Sequence, residues 1–229
     1  MKKFFTLLLA VISTMTTFAQ TEPAIELQAE VDGNTRTLTI GLGVEGTVQI
    51  DWGNGEKVTS ENIPVYDGWN QVNVSGTVSG DGKVKIYGDN IVYFECSSRV
   101  DGAQVLSLDV MKATALKDLT ANTNKLTSID LTKNTELTKL TINNNQLTNI
   151  DISKCTKLTT LDITNNLLTA IDITKNQALQ TLRIGQNKLA GELDLSTNPT
   201  IKLVYAQTNE LASVKIGNNT ASKPTFSFN

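Results

Sequence analysis

The sequence predicts a mainly β fold in which a solenoid of six short coils follows a small antiparallel β-sandwich-like cap domain. The first observation is a repeat of roughly 21 residues that runs from Ile91 to about Asn219. The second is that apolar residues recur two apart within each repeat, which is the spacing of a strand with one face inside a core. The third is that no segment keeps a 3.6-residue period over a helical length. Self-similarity at this period indicates stacked coils.

Each predicted coil carries two apolar pairs that close opposite sides of one core. The pairs of the main sheet are Leu119 and Ala121, Leu140 and Ile142, Leu161 and Ile163, Leu182 and Ile184, and Val204 and Ala206. The pairs of the other side are Leu108 and Val110, Ile129 and Leu131, Ile150 and Ile152, Ile171 and Ile173, Leu193 and Leu195, and Val214 and Ile216. An Asn marks a corner at Asn124, Asn145, Asn166, Asn187 and Asn209. We expect these amides to satisfy buried backbone groups of their own turn and of the adjacent coil.

The spacing Leu-x-x-Leu-x-Ile-x-x-Asn-x-Leu over residues 137–147 resembles the leucine-rich-repeat family, in its short bacterial form. The resemblance covers more than half of the chain. It implies a solenoid with a parallel sheet and an exported bacterial protein whose function is recognition. The expected partner is a protein or a glycan on a host or neighbouring cell surface.

Residues 1–19 are predicted to be a signal peptide, because Lys2 and Lys3 precede a short apolar run that ends in small residues at Ala19. Residues 20–90 are assigned to the β-sandwich-like module, 91–219 to the solenoid and 220–229 to a C-terminal cap. The apolar run is too short to span a membrane. The expected location is therefore secreted, cell-surface or periplasmic, and the expected state is a monomer.

Alternation of apolar and polar residues predicts the strands of the N-terminal module. Residues 25–31 and 38–44 are predicted to form a hairpin around a turn at 32–34, and further strands are predicted at 48–52, 72–78 and 84–87. The run from Val48 to Gly55 resembles the strand and turn of PKD-type immunoglobulin-like modules, although Asn54 replaces the second Asp of that motif. The module is expected to cover the open end of the solenoid.

Three irregular places interrupt the repeat. Extra residues after Cys96 predict a bulging loop at 97–102, which is either a binding loop or a junction to the sandwich. An added residue near Gly191 predicts a bulge. Phe226 and Phe228 are expected to seal the last coil.

The two cysteines are predicted to be separate buried thiols. Cys96 takes an inward strand position, whereas Cys155 takes the turn position that Asn134 and Asn176 hold in neighbouring coils. Two coils separate them, which exceeds the reach of a disulfide of about 7 Å between Cα atoms.

The outward side chains of the main sheet are the predicted partner-binding residues. They include two opposite-charge pairs on neighbouring strands and an aromatic residue at each end, and the full set is Tyr93, Glu95, Asp118, Lys139, Asp162, Arg183 and Tyr205. The alternative is that the charge pairs only stabilise the sheet, by about 0.2 to 1 kcal/mol each.

A column of carboxylates recurs on the other side at Asp109, Asp130, Asp151, Asp172 and Asp194. We interpret it as local hydrogen bonding and pairing with nearby Lys, and keep a calcium ladder as an alternative. No metal site and no cofactor are assigned.

Catalysis and nucleic-acid binding are not predicted. The chain has no His, which removes the commonest general base and imidazole metal ligands, and no nucleotide or hydrolase motif is present. Loss of Lys2 and Lys3 with the leader changes the formal net charge from −3 to −5, and no basic cluster compensates. Two alternatives to recognition stay open: a structural or scaffold protein of the cell envelope, and ice binding through the rows of Thr.

Overall fold

The computed structural model describes residues 22–33, 35–98, 104–217 and 224–227. The predicted signal peptide, most of the predicted loop at 97–102 and Phe228 lie outside these ranges. Within them the regular elements are all strands.

Six strands form the N-terminal region. They are β1 (Ile25–Ala29), β2 (Thr35–Leu42), β3 (Gly46–Asp51), β4 (Lys57–Ile63), β5 (Val72–Thr77) and β6 (Lys83–Tyr87). The solenoid contributes β7 (Ile91–Glu95), β8 (Val105–Asp109), β9 (Asp118–Thr120), β10 (Lys139–Thr141), β11 (Thr160–Asp162), β12 (Thr181–Arg183), β13 (Ala190–Leu195), β14 (Leu203–Tyr205), β15 (Glu210–Ile216) and β16 (Thr225–Ser227).

The main sheet of the solenoid continues directly into the N-terminal region. Its nine strands have the order β16-β14-β12-β11-β10-β9-β7-β2-β5, parallel from β16 to β7 and antiparallel from β7 to β5. The second sheet has the order β4-β3-β6-β1-β8, so that β1 pairs with the other side of the first coil. The N-terminal region therefore extends both walls of the solenoid, and buried apolar residues of the two regions form one core.

The predicted hairpin between residues 25–31 and 38–44 is wrong. β1 pairs with β6 and β8, whereas β2 pairs with β5 and β7 in the opposite sheet. Both strands have the alternation of a half-buried strand, and that pattern suits two facing layers as well as two neighbouring strands. Strand β4 was not predicted, because this edge strand has little apolar alternation and leaves Val58 exposed.

The motif at Asp51–Gly55 makes a tight turn at the end of β3. The Asp51 carboxylate Oδ1 accepts hydrogen bonds from the backbone N–H groups of Gly53 and Gly55, each at 2.9 Å. Both glycines have positive φ, 100° and 82°, which glycine adopts without steric cost. Trp52 is buried against Gly76, where a Cβ atom would lie 2.2 Å from the indole ring.

The corner asparagines join successive coils, as predicted. Asn166 is typical: its Oδ1 accepts from Leu147 N at 3.0 Å, and its Nδ2 donates to the carbonyl oxygens of Ile142 and Ile163, both at 3.1 Å. The other members of the row make the equivalent contacts. Buried backbone groups that lie outside the hydrogen-bond ladders of the sheets therefore have hydrogen-bond partners.

A second row of polar residues lies at the opposite corner, at Asn134, Cys155, Asn176 and Asn198. Asn176 Nδ2 donates to the carbonyl oxygens of Ile152 and Cys155, at 3.0 and 2.9 Å. The predicted pair of buried free thiols is confirmed. Burial raises the pKa of Cys96 to about 12 and that of Cys155 to about 11.

The fifth and last coils agree only in part with expectation. The predicted bulge lies between Gly191 and Glu192, with Gly191 at a φ of 78°. Phe226 packs against the core from β16, which pairs with β14. The expectation that Ile216 points into the core is wrong, because this residue is 49% exposed. Within the described residues no further strand pairs with β15 on the side away from β13.

Candidate functional site

The strand register defines a surface that we call the outward sheet face. One row across the sheet consists of Gly41, Tyr93, Asp118, Lys139, Thr160, Thr181, Leu203 and Thr225. The adjacent row consists of Asn73, Thr39, Glu95, Thr120, Thr141, Asp162, Arg183, Tyr205 and Ser227. All seven predicted binding residues thus occupy the predicted rows, and the face also extends onto β2 and β5.

A segment from the N-terminal region covers one end of this face. We call residues 64–70, between β4 and β5, the strap. Tyr66 N donates to Leu42 O at 2.8 Å, and the Tyr66 ring stacks on Tyr93 with 4.9 Å between ring centroids. Tyr66 Oη donates to Asp118 Oδ2 at 3.1 Å. A Cβ atom at Gly41 would lie 2.9 Å from Tyr66, so glycine there makes room for the ring.

The covering changes the electrostatics of the acidic group beneath it. Burial raises the pKa of Asp118 above its usual range, although Lys139 Nζ at 3.6 Å and the Tyr66 hydroxyl favour the charged form. Asp118 Oδ1 is buried, and no hydrogen-bond partner for it exists among the residues that the structure describes. Burial, with the neighbouring carboxylate as the second cause, raises the pKa of Tyr66 to about 12.

The expectation that Tyr93 and Asp118 are open contact residues is wrong. Each is only 8% exposed. Their side chains leave the sheet on the predicted side, but the strap covers them. Tyr93 Oη donates to Glu95 Oε2 at 2.8 Å, so this pair is also engaged within the protein. Glu95 itself is half-buried.

The other end of the face is open. Lys139 is exposed, and Asp162, Arg183 and Tyr205 are half-buried. Arg183 lies over the Tyr205 ring, with 5.3 Å from Cζ to the ring centroid. Asp162 and Arg183 are register partners, yet among the described residues they form no ion pair. Asp162 Oδ1 instead accepts from Thr164 N at 3.1 Å.

The carboxylate column caps the turns of the opposite side. In each coil one carboxylate oxygen accepts the backbone N–H two residues later, at 2.8 to 2.9 Å. Hydrogen bonds from Thr132 lower the pKa of Asp130, and a hydrogen bond from Lys215 lowers that of Asp194 to about 2. Among the described residues no group of three or more acidic or thiol side chains could hold a metal ion. Local hydrogen bonds account for the column without a cation.

Sequence reasoning missed the strap. Asp67-Gly68 after an aromatic residue is a turn signal, but no pattern in a single sequence says which surface a loop covers. Gly41 was the one further hint, because it interrupts an alternating strand where a close approach is expected.

Comparison with known proteins identifies the repeats. The family description "Leucine Rich repeats (2 copies)" matches residues 135–176. The coils are leucine-rich repeats. No curated protein sequence matches this leucine-rich-repeat chain.

Solved structures with similar coils come from Listeria monocytogenes. The functional domain of InlJ, which includes a cysteine ladder, is 25% identical with a TM-score of 0.49, and the match covers 59% of this chain. An internalin, inlF, is 22% identical with a TM-score of 0.41 over 48% of this chain. The matches cover only 32% and 37% of those two chains. Separately, the described residues contain no helix that is long and apolar enough to cross a membrane.

Proposed function

We propose that this protein is an exported recognition module that binds a protein or a glycan on a host or neighbouring cell surface. The leader-like residues 1–19 support export, and the leucine-rich-repeat solenoid supplies a rigid frame for binding residues. The observation that carries the proposal is the open end of the outward sheet face. There an Arg183–Tyr205 pair and Asp162 project from neighbouring strands of one sheet.

The chemistry of the open end suits recognition. Arg and Tyr are enriched among the residues that dominate binding energy, since both combine a large contact area with hydrogen-bonding groups. Both residues lie on strands, so their backbone is already ordered before a partner binds. Thr141 and Thr160 beside them are small and half-buried, which leaves the surface accessible.

The test begins with chemical crosslinking of the purified protein to intact cells, followed by identification of the captured partner. The affinity of that partner is then measured for the wild type and for the double variant Arg183→Ala, Tyr205→Ala. We expect the affinity to fall at least tenfold, about 1.4 kcal/mol, with little change in melting temperature.

A matched control removes a charged pair from another side of the solenoid, in the double variant Glu136→Ala, Lys157→Ala. These two side chains form an exposed ion pair at 2.6 Å outside the outward sheet face. The control is expected to bind as the wild type does. Equal affinity of the Arg183 and Tyr205 variant would exclude the open end as the binding surface, and failure to capture any saturable partner would favour the scaffold alternative.

A further inference from the structure

A polar cavity lies where the solenoid sheet passes into the N-terminal region. Its volume is about 310 Å³, and its lining includes Thr35, Thr37, Thr39, Asn73, Glu95 and Ser97. Thr39 pairs in register with Asn73 on one side and with Glu95 on the other. The cavity therefore lies on the outward sheet face, over β2, β5 and β7.

The side chains of this cavity are ordered by hydrogen bonds to one another. Thr39 Oγ1 donates to Asn73 Oδ1 at 2.8 Å, and the hydroxyls of Thr37 and Ser75 are 2.8 Å apart. Hydroxyl and amide groups can each donate and accept. A ligand with many hydroxyl groups can join such a network at several points.

The charges of the cavity do not favour an anionic ligand. Arg36 is the only cation among its described lining residues, and it is 7% exposed with Nη2 donating to Gln104 O at 3.0 Å. The half-buried Glu95 carboxylate contributes one negative charge. Among the described lining residues, a phosphate or sulfate group would meet this carboxylate and no exposed cation.

An aromatic platform stands beside the cavity. Tyr66 and Tyr93 stack over the adjacent row of the face. That row lies two residues, or about 7 Å, along the strands from the row that lines the cavity. Trp69 follows three residues after Tyr66, so their Cα atoms are within about 11 Å. Its indole is 87% exposed.

The position of Trp69 is fixed although its ring is open. The Asp67 carboxylate accepts from the backbone N–H groups of Trp69 at 2.9 Å and of Asn70 at 3.0 Å, and from Asn70 Nδ2 at 2.9 Å. A flat apolar ring flanked by carboxylate and amide groups matches a sugar, which presents a C–H face and a rim of hydroxyls. A single ring among polar groups does not match the desolvated apolar centre of a protein interface.

We infer that the cavity binds one saccharide unit of a neutral glycan and that Trp69 stacks on another unit of the same glycan. This inference rests on the proposed function and names its partner class. The cavity has the size of the smaller ligand sites of proteins, which begin at roughly 300 Å³.

The test is titration calorimetry of the whole chain with neutral tetrasaccharides built from glucose, mannose, galactose or N-acetylglucosamine. A sulfated heparin tetrasaccharide is the charged comparison. We expect saturable heat with at least one neutral tetrasaccharide and none with the sulfated one. Absence of saturable heat with every neutral probe up to about 10 mM would overturn the inference, since even a 1 mM dissociation constant would then be detected.

Substitutions localise the binding. Thr37 is the exposed threonine of the cavity, and Thr37→Val keeps the side-chain shape but removes the hydroxyl. It is expected to weaken binding at least tenfold, whereas Thr37→Ser retains most of it. Thr169→Val, the same change at an exposed position outside the cavity, is expected to have no effect. Wild-type affinity in the folded Thr37→Val variant would overturn the inference.

Fluorescence gives an independent reading because the chain has two tryptophans, of which Trp52 is 6% exposed and Trp69 is 87% exposed. Binding is expected to change the emission of the wild type, and Trp69→Ala is expected to abolish the change and weaken binding. Persistence of the change in that variant would contradict the stacking.

The outcomes separate the two proposals. If the captured cell-surface partner binds equally well after enzymatic removal of its glycans, the glycan inference fails and recognition by the open end still stands. If the Arg183→Ala, Tyr205→Ala variant binds normally while Thr37→Val does not, the cavity stands and the open end fails.

Discussion

The two ends of the outward sheet face have the same backbone geometry and opposite surroundings. At one end Tyr93 and Asp118 lie beneath the strap, and Tyr66 fills the space above them. At the other end Arg183 and Tyr205 occupy the adjacent row, and no part of the described chain covers them. Register decides the side on which a side chain leaves a strand, but exposure depends on what else packs there.

The difference also separates stabilising residues from residues available for binding. At the covered end the side chains are fixed by stacking and hydrogen bonds, so their substitution is expected to affect folding. At the open end the contacts are few and partly solvated, so substitution is expected to affect binding. Stability measurements on variants of the two ends test this separation.

The largest effect is expected from Tyr66→Ala. The variant loses a half-buried ring that stacks on Tyr93 and a hydrogen bond to the Asp118 carboxylate, and we expect a loss of about 2 kcal/mol in the free energy of unfolding by urea denaturation. Tyr66→Phe keeps the ring and is expected to lose about 1 kcal/mol. A loss below a few tenths of a kcal/mol in Tyr66→Ala would show that the strap does not pack on the face in solution.

Gly41→Ala tests the fit of the strap. The added Cβ would lie 2.9 Å from Tyr66, so the ring must shift, at a cost of about 1 kcal/mol. In the Tyr66→Ala background the same change should cost less, because the contacts with the ring atoms are absent and only the contact with the Cβ atom of residue 66 remains. Additive effects in this double-mutant cycle would contradict direct contact.

Asp118→Asn tests the buried charge. The pKa of Asp118 is raised in the folded protein, so the carboxylate destabilises the fold as the pH rises from its ordinary pKa, about 3.9, through the raised value. At lower pH residue 118 is neutral in both the wild type and Asp118→Asn, and the two proteins should be equally stable. Above that window Asp118→Asn should become the more stable protein, as measured by thermal unfolding at several pH values. A difference that does not depend on pH would argue against a buried carboxylate.

The smallest effect on stability is expected at the open end. Arg183→Ala, Tyr205→Ala should change the free energy of unfolding by less than about 0.5 kcal/mol, because a solvated cation–π contact is the main interaction lost. Urea denaturation beside Tyr66→Ala provides the comparison. A loss as large as that of Tyr66→Ala would mean that the side chains of the open end stabilise the fold as much as those of the covered end.

The parts of the fold that repeat could be predicted from the sequence, because each coil supplies the same evidence again. Position in the repeat was enough to predict the contacts of corner residues such as Asn166 and the burial of Cys155. The wrong hairpin shows the limit: alternation gives the face of β1 and β2 but not their partners. The strap shows it too, since Tyr66 contacts residues 27 and 52 positions away in the chain, Tyr93 and Asp118.

Chemical nitration of tyrosine in the free protein, followed by mass spectrometry, tests the central contrast most directly. The chain has four tyrosines, and the two at the covered end have raised pKa values because of burial. Nitration requires access and is faster for the phenolate form. We therefore predict that Tyr205 is modified well before Tyr93, with Tyr66 slower than Tyr205. Modification of Tyr93 as fast as Tyr205 would contradict the division of the face into a covered and an open end.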